Sequence, residues 1–261
     1  MTAPLFGSAD EAAAWAAELP PGAFGRELLE YAALAGSTQD LAFAAAGRGA
    51  PHGAAFVAEE QSAGRGRQGA AWQAPAGSAL LVSVLLRPAP PEEDRARTAL
   101  GAGLAACRAV EQACAAHPDL KWPNDLLLGG RKLGGVLVEA RGGVAALGVG
   151  LNVLQEPGDF GDELGGRATS LAAETGDRPD RLWLLGMLLV ELGRMFGTRG
   201  EEWGAVRLEV ARRLAWRGRR AIVGELCGVV TGLDASGRLV LRADSGEDLA
   251  VASGSLELVE P

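Results

Sequence analysis

Residues Lys121 to Glu139 read K-W-P-N-D-L-L-L-G-G-R-K-L-G-G-V-L-V-E. Two lysines, an Asn and an Asp stand around a proline bend and a glycine-rich turn. A hairpin that served only the core has no need of that set. It suits a place where the chain holds anions close to its backbone. Pro123 bends the chain after a strand and holds Asn124 and Asp125 at its edge. Lys132 follows the Gly129-Gly130 turn, with Gly134 and Gly135 beside it, and an ammonium next to bare backbone suits a developing negative charge. Gln61 to Gly69 (Q-S-A-G-R-G-R-Q-G) makes a similar demand. Gly64 and Gly66 let the backbone approach a ligand, while Arg65 and Arg67 supply fork-shaped donors for phosphate or carboxylate. A solvated flexible loop has the same composition, and the ending of a Walker loop is missing. Together the two segments point to an enzyme that handles a nucleotide.

Two further groups admit two readings. Ser37-Thr38 is a helix N-cap, worth about 1 kcal/mol, and the same geometry presents hydroxyls and N–H groups to a polar ligand. In Gly148-Val-Gly150-Leu-Asn152 the glycines relax a strand or admit a flat ligand, and the terminal Asn can pair with a base edge.

These residues need elements to position them. Ser8-Ala-Asp-Glu11 has capping-box form and predicts a helix to about Leu19, ended by Pro20-Pro21-Gly22. Ser37 to Asp40 opens a second helix that stops near Gly47. Ala54–Glu59 and Ala79–Leu86 read as buried strands flanking the Gly/Arg loop. Arg95–Ala116 is a long Ala-rich helix, and Leu120–Trp122 a short strand. Asp125–Leu128, Leu133–Ala140 and Val144–Leu151 form a meander turning at Gly129-Gly130 and Gly142-Gly143. Residues 155–168 carry no periodicity and read as a mobile loop. Pro179–Phe196 and Glu201–Leu214 read as helices. Near Arg217 the texture changes: Ala221–Val223, Leu226–Leu233, Arg238–Ala243, Asp248–Val251 and Ser255–Val259 are short strands between turn residues, which suggests a small β-barrel. The predicted domains are 1–214 and 215–261.

Composition narrows the function. A chain of 261 residues with net charge −8 can bury a large core, and the charge disfavours a general nucleic-acid binder. A small basic pocket from Arg65, Arg67, Lys121, Arg131 and Lys132 stays open. Cys107, Cys114 and Cys227 are too scattered for a disulfide framework and read as core packing. His52 and His117 have no metal-ligand neighbours at useful spacing. Residues 1–20 lack the form of a signal peptide, and no run reaches the roughly 20 apolar residues of a membrane span; a soluble, cytoplasmic protein is expected.

In order along the chain, G-S-T-Q at 36–39, the Gly/Arg loop at 61–69, Trp72, K-W-P-N-D at 121–125, R-K-L-G-G-V-L-V-E at 131–139, G-V-G-L-N at 148–152 and A-T-S-L at 168–171 resemble the biotin–protein ligases. The resemblance covers about residues 30–261. It implies an α+β fold: a mixed β-sheet with flanking helices, similar to the class II aminoacyl-tRNA synthetase core, followed by an SH3-like barrel. It implies a two-step reaction in which biotin and Mg-ATP give biotinyl-5′-AMP, and the lysine of a biotin carboxyl carrier domain then takes the biotin. On that resemblance Lys132, Arg67 and Lys121 are the catalytic cations, with Mg²⁺ as cofactor and Asp125 a candidate ligand to it. Ser37, Thr38, Gln39, Gln61, Gly64, Arg65, Gly66, Arg67, Lys132, Gly135, Gly148 and Gly150 are expected around biotin, and Arg67, Trp72, Lys121, Asn124 and Asn152 around ATP. The 61–69 loop is expected to close over the adenylate and keep water from the anhydride.

Three departures stand out: Gln39 where the family usually has Asn, Gln68 where a second basic residue is frequent, and Arg167 where some relatives place an aromatic on the adenine, a role left to Phe160 or to Trp72 alone. Some relatives carry an N-terminal DNA-binding domain. Only 36 residues precede Ser37, so a ligase without DNA binding is expected, with a homodimer possible. The rival readings are a lipoate or octanoate ligase or transferase of the same fold, and a non-catalytic biotin-sensing module.

Overall fold

The computed structural model describes residues 3–161 and 166–259. A seven-stranded mixed sheet runs in the order β1-β2-β3-β7-β6-β5-β4. Its strands are β1 Leu29–Ala35, β2 Ala55–Gln61, β3 Ala79–Leu86, β4 Asp119–Lys121, β5 Asp125–Leu128, β6 Arg131–Arg141 and β7 Val144–Asn152. β3, apolar but for Ser83, is buried at every position, as expected of a central strand covered on both faces. β5, β6 and β7 form the expected meander, and both residues of the Gly129-Gly130 turn have positive φ (59° and 78°), the backbone of a two-residue hairpin. Residues 162–165 of the segment expected to be a mobile loop lie outside the described residues; before them, Pro157–Phe160 forms a 3₁₀ turn whose Glu156 and Asp159 cap each other.

β1 has no counterpart among the expected strands. Its sequence, L-E-Y-A-A-L-A, neither alternates nor runs continuously apolar, and it lies at the sheet edge with its middle partly exposed. Its consequence for the site is large. β1 and β2 are parallel, with Ala35 opposite Gln61, so the chain between them must cross over, and helix α2 (Thr38–Gly47) does so. The N-terminus of α2 therefore lands beside the end of β2, where the Gly/Arg loop begins.

Helix α1 (Ala9–Ala17) starts at Ser8, whose hydroxyl accepts from Glu11 N–H; the Glu11 carboxylate accepts from Gly7 N–H rather than from the cap residue. α3 (Arg95–Ala113) ends three residues short of the expected limit, because Cys114 is already extended. Its small residues Ala102, Ala105, Ala106 and Ala109 are fully buried, which lets the sheet and α5 (Arg181–Phe196) approach closely. α4 (Leu171–Thr175) and α6 (Trp203–Arg212) complete the helices named here. No helix among the described residues is long and apolar enough to cross a membrane.

A five-stranded antiparallel sheet follows, in the order β11-β10-β9-β8-β12, built from Arg220–Val223 (β8), Leu226–Leu233 (β9), Leu239–Arg242 (β10), Asp248–Val251 (β11) and Glu257–Leu258 (β12). It has the form of an SH3-like domain. Its core side chains, among them Val230, Leu239, Leu241 and Leu256, belong to the same apolar cluster as the larger sheet. The docking is specific. Trp122 Nε1–H donates to the Gly237 carbonyl at 3.2 Å and Trp203 Nε1–H to the Ala235 carbonyl at 2.8 Å. Leaving α6, the chain pairs alongside β4, Leu120 N–H donating to Arg213 O and Ala215 N–H to Leu120 O. This seating carries Gly254 and Ser255 to the face where the glycine-rich segments meet.

Candidate active site

The two anion-handling segments converge on one cavity of about 200 Å³. Its floor is the middle of the large sheet. Gly148 of β7 stands between Ser83 of β3 and Leu137 of β6, and Gly150 stands between Leu81 and Gly135. Two residues apart on one strand, Gly148 and Gly150 share a face. A Cβ on Gly148 would meet Gln39 Nε2 at 2.8 Å, and one on Gly150 would meet the Trp72 ring at 2.9 Å. The floor is bare because two large side chains lie against it.

One end of the cavity is a neutral polar cluster at the start of α2. Ser37, Thr38 and Gln39 are all buried. Gln61 Oε1 accepts from Thr38 N–H at 2.8 Å and from the Thr38 hydroxyl at 3.1 Å, and that hydroxyl lies 2.8 Å from the Ser83 hydroxyl. Gln39 Nε2–H donates to the Leu137 carbonyl. Its Oε1 and the Trp72 indole N–H are buried without a partner among the described residues. An acceptor and a donor left unsatisfied beside a cavity are groups that a polar ligand can pair.

The other side is charged. Residues 64–72 fold back as a small hairpin: Gly66 N–H donates to Ala70 O and Trp72 N–H to Gly64 O. Gly64 is required there, since a Cβ would lie 2.4 Å from the Trp72 carbonyl oxygen. Arg67 reaches across to Asn124 Oδ1 (3.1 Å) and the Gly254 carbonyl (3.5 Å). Asn124 is itself held by Nδ2–H donating to Val136 O at 2.8 Å. Arg67 thus meets neutral acceptors in these contacts, and among the described residues no carboxylate pairs with it. Arg65 differs: its guanidinium forks onto both oxygens of Asp40 and also bonds Glu139, each at 2.9 Å.

Lys132 stands where the pairing of β5 and β6 slips, Leu126 facing Gly134 and Leu127 facing Lys132, so Leu133 is an extra residue. Such a bulge re-aims side chains. Lys132 Nζ lies 2.8 Å from Asp125 Oδ1, and its backbone pairs with the segment before α4, donating to Arg167 O and accepting from Thr169 N–H. One oxygen of Asp125 is thereby engaged by a lysine. Among the described residues no cluster of three or more His, Cys, Asp or Glu side chains could hold a metal.

Of the residues singled out in the sequence, Ser37, Thr38, Gln39, Gln61, Arg65, Gly66, Arg67, Trp72, Asn124, Asp125, Lys132, Gly135, Gly148 and Gly150 line this cavity. Gly64 acts through the hairpin. Lys121 and Asn152 are not in the lining. Lys121 is held 4.9 Å from the Trp216 ring centre, and burial lowers its pKa, partly countered by Asp125. Asn152 braces the segment before α4, with Nδ2–H donating to Thr169 O and Oδ1 accepting from Gln155. Sequence reasoning missed Ser255, Leu81, Val82 and Leu137 in the lining, and Asp40 and Glu139 as partners of Arg65. Only Asp40 had a signal, directly after the S-T-Q triplet.

A neutral slot opening onto a cationic rim, on a mixed sheet backed by helices with an SH3-like domain against it, defines a class of ligase fold. Residues 35–155 match the Biotin/lipoate A/B protein ligase family. The chain is 34% identical over 244 residues to the biotin--[acetyl-CoA-carboxylase] ligase of Mycobacterium tuberculosis, covering 87% of this chain and 88% of that one. It is 33% identical over 235 residues to the bifunctional ligase/repressor BirA of Bacillus subtilis, covering 85% and 71%. Among solved structures, the Aquifex aeolicus biotin protein ligase in complex with biotin and ATP superimposes with a TM-score of 0.77 at 27% identity, covering 90% of this chain and all of that one. The chain belongs to the biotin protein ligases.

Proposed function

We propose that the cavity joins the carboxylate of biotin to the α-phosphate of ATP and passes the biotin to a lysine of a biotin carboxyl carrier domain. In the first step a biotin carboxylate oxygen bonds the α-phosphorus, the bond to the bridging oxygen breaks, and pyrophosphate leaves. In the second the neutral lysine amine attacks the acyl carbon, AMP leaves with the anhydride oxygen, and the amide nitrogen loses its proton to solvent. Both reactants of the first step are anions, so a site that brings them together must offset their repulsion. Arg67 on the rim supplies that charge; Lys132, held at the cavity by Asp125, is assigned to the reacting carboxylate, and Lys121 to the phosphate side. The Thr38, Gln39 and Gln61 cluster holds the polar ring end of biotin, with Gly148 and Gly150 letting Gln39 and Trp72 seat against the floor. Trp72 is the aromatic for the adenylate. Mg²⁺ enters with ATP as part of the substrate.

The observation that carries this reading is the juxtaposition in one cavity of a neutral hydrogen-bonding slot and Arg67, with which no carboxylate among the described residues pairs. A sensing module needs the slot but no cation at its open end. ATP–pyrophosphate exchange that depends on biotin is the direct test. Exchange that appears only with biotin supports the ligase; well-folded protein with no exchange refutes it, and exchange supported better by lipoate or octanoate reassigns the substrate.

A further inference from the structure

Arg65 and Arg67 stand two residues apart on one hairpin and have different surroundings. Arg65 is bracketed by Asp40 at the start of α2 and Glu139 on β6, with its three bonds all at 2.9 Å. Arg141 approaches the same Glu139 at 3.7 Å and stacks 4.5 Å from the Phe43 ring of α2. Two arginines and two carboxylates thus form a network of zero net charge across three elements. The Arg65 guanidinium holds the Asp40 carboxyl below the usual carboxylate range. A guanidinium so engaged adds little to the positive field at the reacting centre. What it does is tie the hairpin to the body of the protein.

We propose that Asp40 and Glu139 are positioning residues for this reaction: they clamp Arg65, and through it hold the hairpin that carries Arg67 over the cavity, so they set how long the acyl-adenylate is retained. This rests on the ligase reading above. Neither carboxylate lines the cavity, and neither touches the reacting atoms. Their geometry suits the role. Asp40 belongs to the helix whose N-terminus forms the neutral slot, and Glu139 lies two residues beyond Leu137 on the strand that flanks Gly148. The clamp therefore spans the cavity's two sheet-side walls and closes the third onto them. A loop end left free recovers conformational freedom that the clamp removes, and the Arg67 contacts with Asn124 and Gly254 depend on where that end sits.

Asp40→Asn, Glu139→Gln and the double variant test this, with Asp40→Glu as the conservative replacement. The measurements are biotin-dependent pyrophosphate exchange, the rate of biotinyl-adenylate loss from the isolated enzyme complex, and trypsin cleavage after Arg65 and Arg67 in the ligand-free protein. Exchange should persist in every variant, with melting temperatures near that of the parent. Adenylate loss should rise about threefold to fivefold in each single variant and roughly tenfold in the double one, the size expected for partly exposed bidentate ion pairs. Asp40→Glu should restore retention. The gap between parent and double variant should narrow at high salt, which screens the clamp. Trypsin should cut the double variant faster. Unchanged adenylate loss in the double variant overturns the proposal, as does a rise that Asp40→Glu does not reverse or that high salt leaves intact. Should the parent itself lack exchange, the ligase reading fails, and equal tryptic cleavage of parent and double variant then separately refutes the clamp.

Discussion

The two sides of the cavity are built on different principles. The floor is made by sheet register: Gly148 and Gly150 are fixed by backbone pairing to β3 and β6, and the polar cluster at its end, Ser37, Thr38, Gln39 and Ser83, is neutral and buried. The rim is made by side chains from a hairpin and from β5 and the bulged β6: Arg65, Lys132 and Asp125 are held by ion pairs that remain partly exposed, and Arg67 by hydrogen bonds to Asn124 and Gly254. A floor of this kind recognises shape and hydrogen bonds and tolerates no added volume. A rim of this kind supplies charge and can move. The division matches the task, since a neutral ring system must be held still while a charged intermediate is made, retained and released.

The contrast can be broken from either side. The largest effect is expected at the rim. Lys132→Ala should slow adenylation by roughly 10²–10³-fold, the range for removing one electrostatic contact to a transition state, with biotin affinity changing far less; single-turnover formation of adenylate measures it, and an unchanged rate removes Lys132 from the chemistry. On the floor, Gly148→Val should weaken biotin binding by roughly 10- to 100-fold, because its side chain collides with Gln39 and a packed site yields little. Calorimetry with biotin tests this, and parental affinity would mean that the slot lies elsewhere. Arg67→Gly should speed adenylate loss by about tenfold, as truncating a charged anchor acts mainly on the off-rate, while biotin binding alone stays close to parental. Ser83→Ala is the mildest. It removes the buried partner of the Thr38 hydroxyl and should weaken biotin about threefold to fivefold without altering adenylate retention. If Ser83→Ala changed retention as much as Arg67→Gly, floor and rim would not be separable.

Much of the frame was legible because its signals are local. The nearly all-apolar run of β3, the paired glycines at 129-130 and 142-143, and the Ser caps of α1 and α2 each report a backbone state that neighbours in sequence decide. β1 was not legible, since its strand state comes from pairing with β2 and from α1 packing over it, neither of which leaves a period in L-E-Y-A-A-L-A. Among site residues, those in glycine-rich or proline-bounded segments were found, because such segments advertise close backbone approach. Leu81 and Leu137 were not, for an apolar residue facing a cavity looks in sequence like one facing the core.

The amino-acid sequence alone determined which chemical groups are available, their order, and the glycines that let backbone and ligand meet; those depend on residue type and on short-range sterics. Tertiary structure decided what each charge is worth. Arg65 and Arg67 are identical residues two positions apart, yet one is neutralised by Asp40 and Glu139 and the other, among the described residues, bonds amide oxygens. Lys121 and Lys132 divide the same way, one half-buried beside Trp216 with its pKa lowered, the other paired to Asp125 at the cavity. A side chain's electrostatic role depends on distances and burial set by residues far away in the chain, and those exist only once the sheet, the crossover helix and the C-terminal domain have packed together.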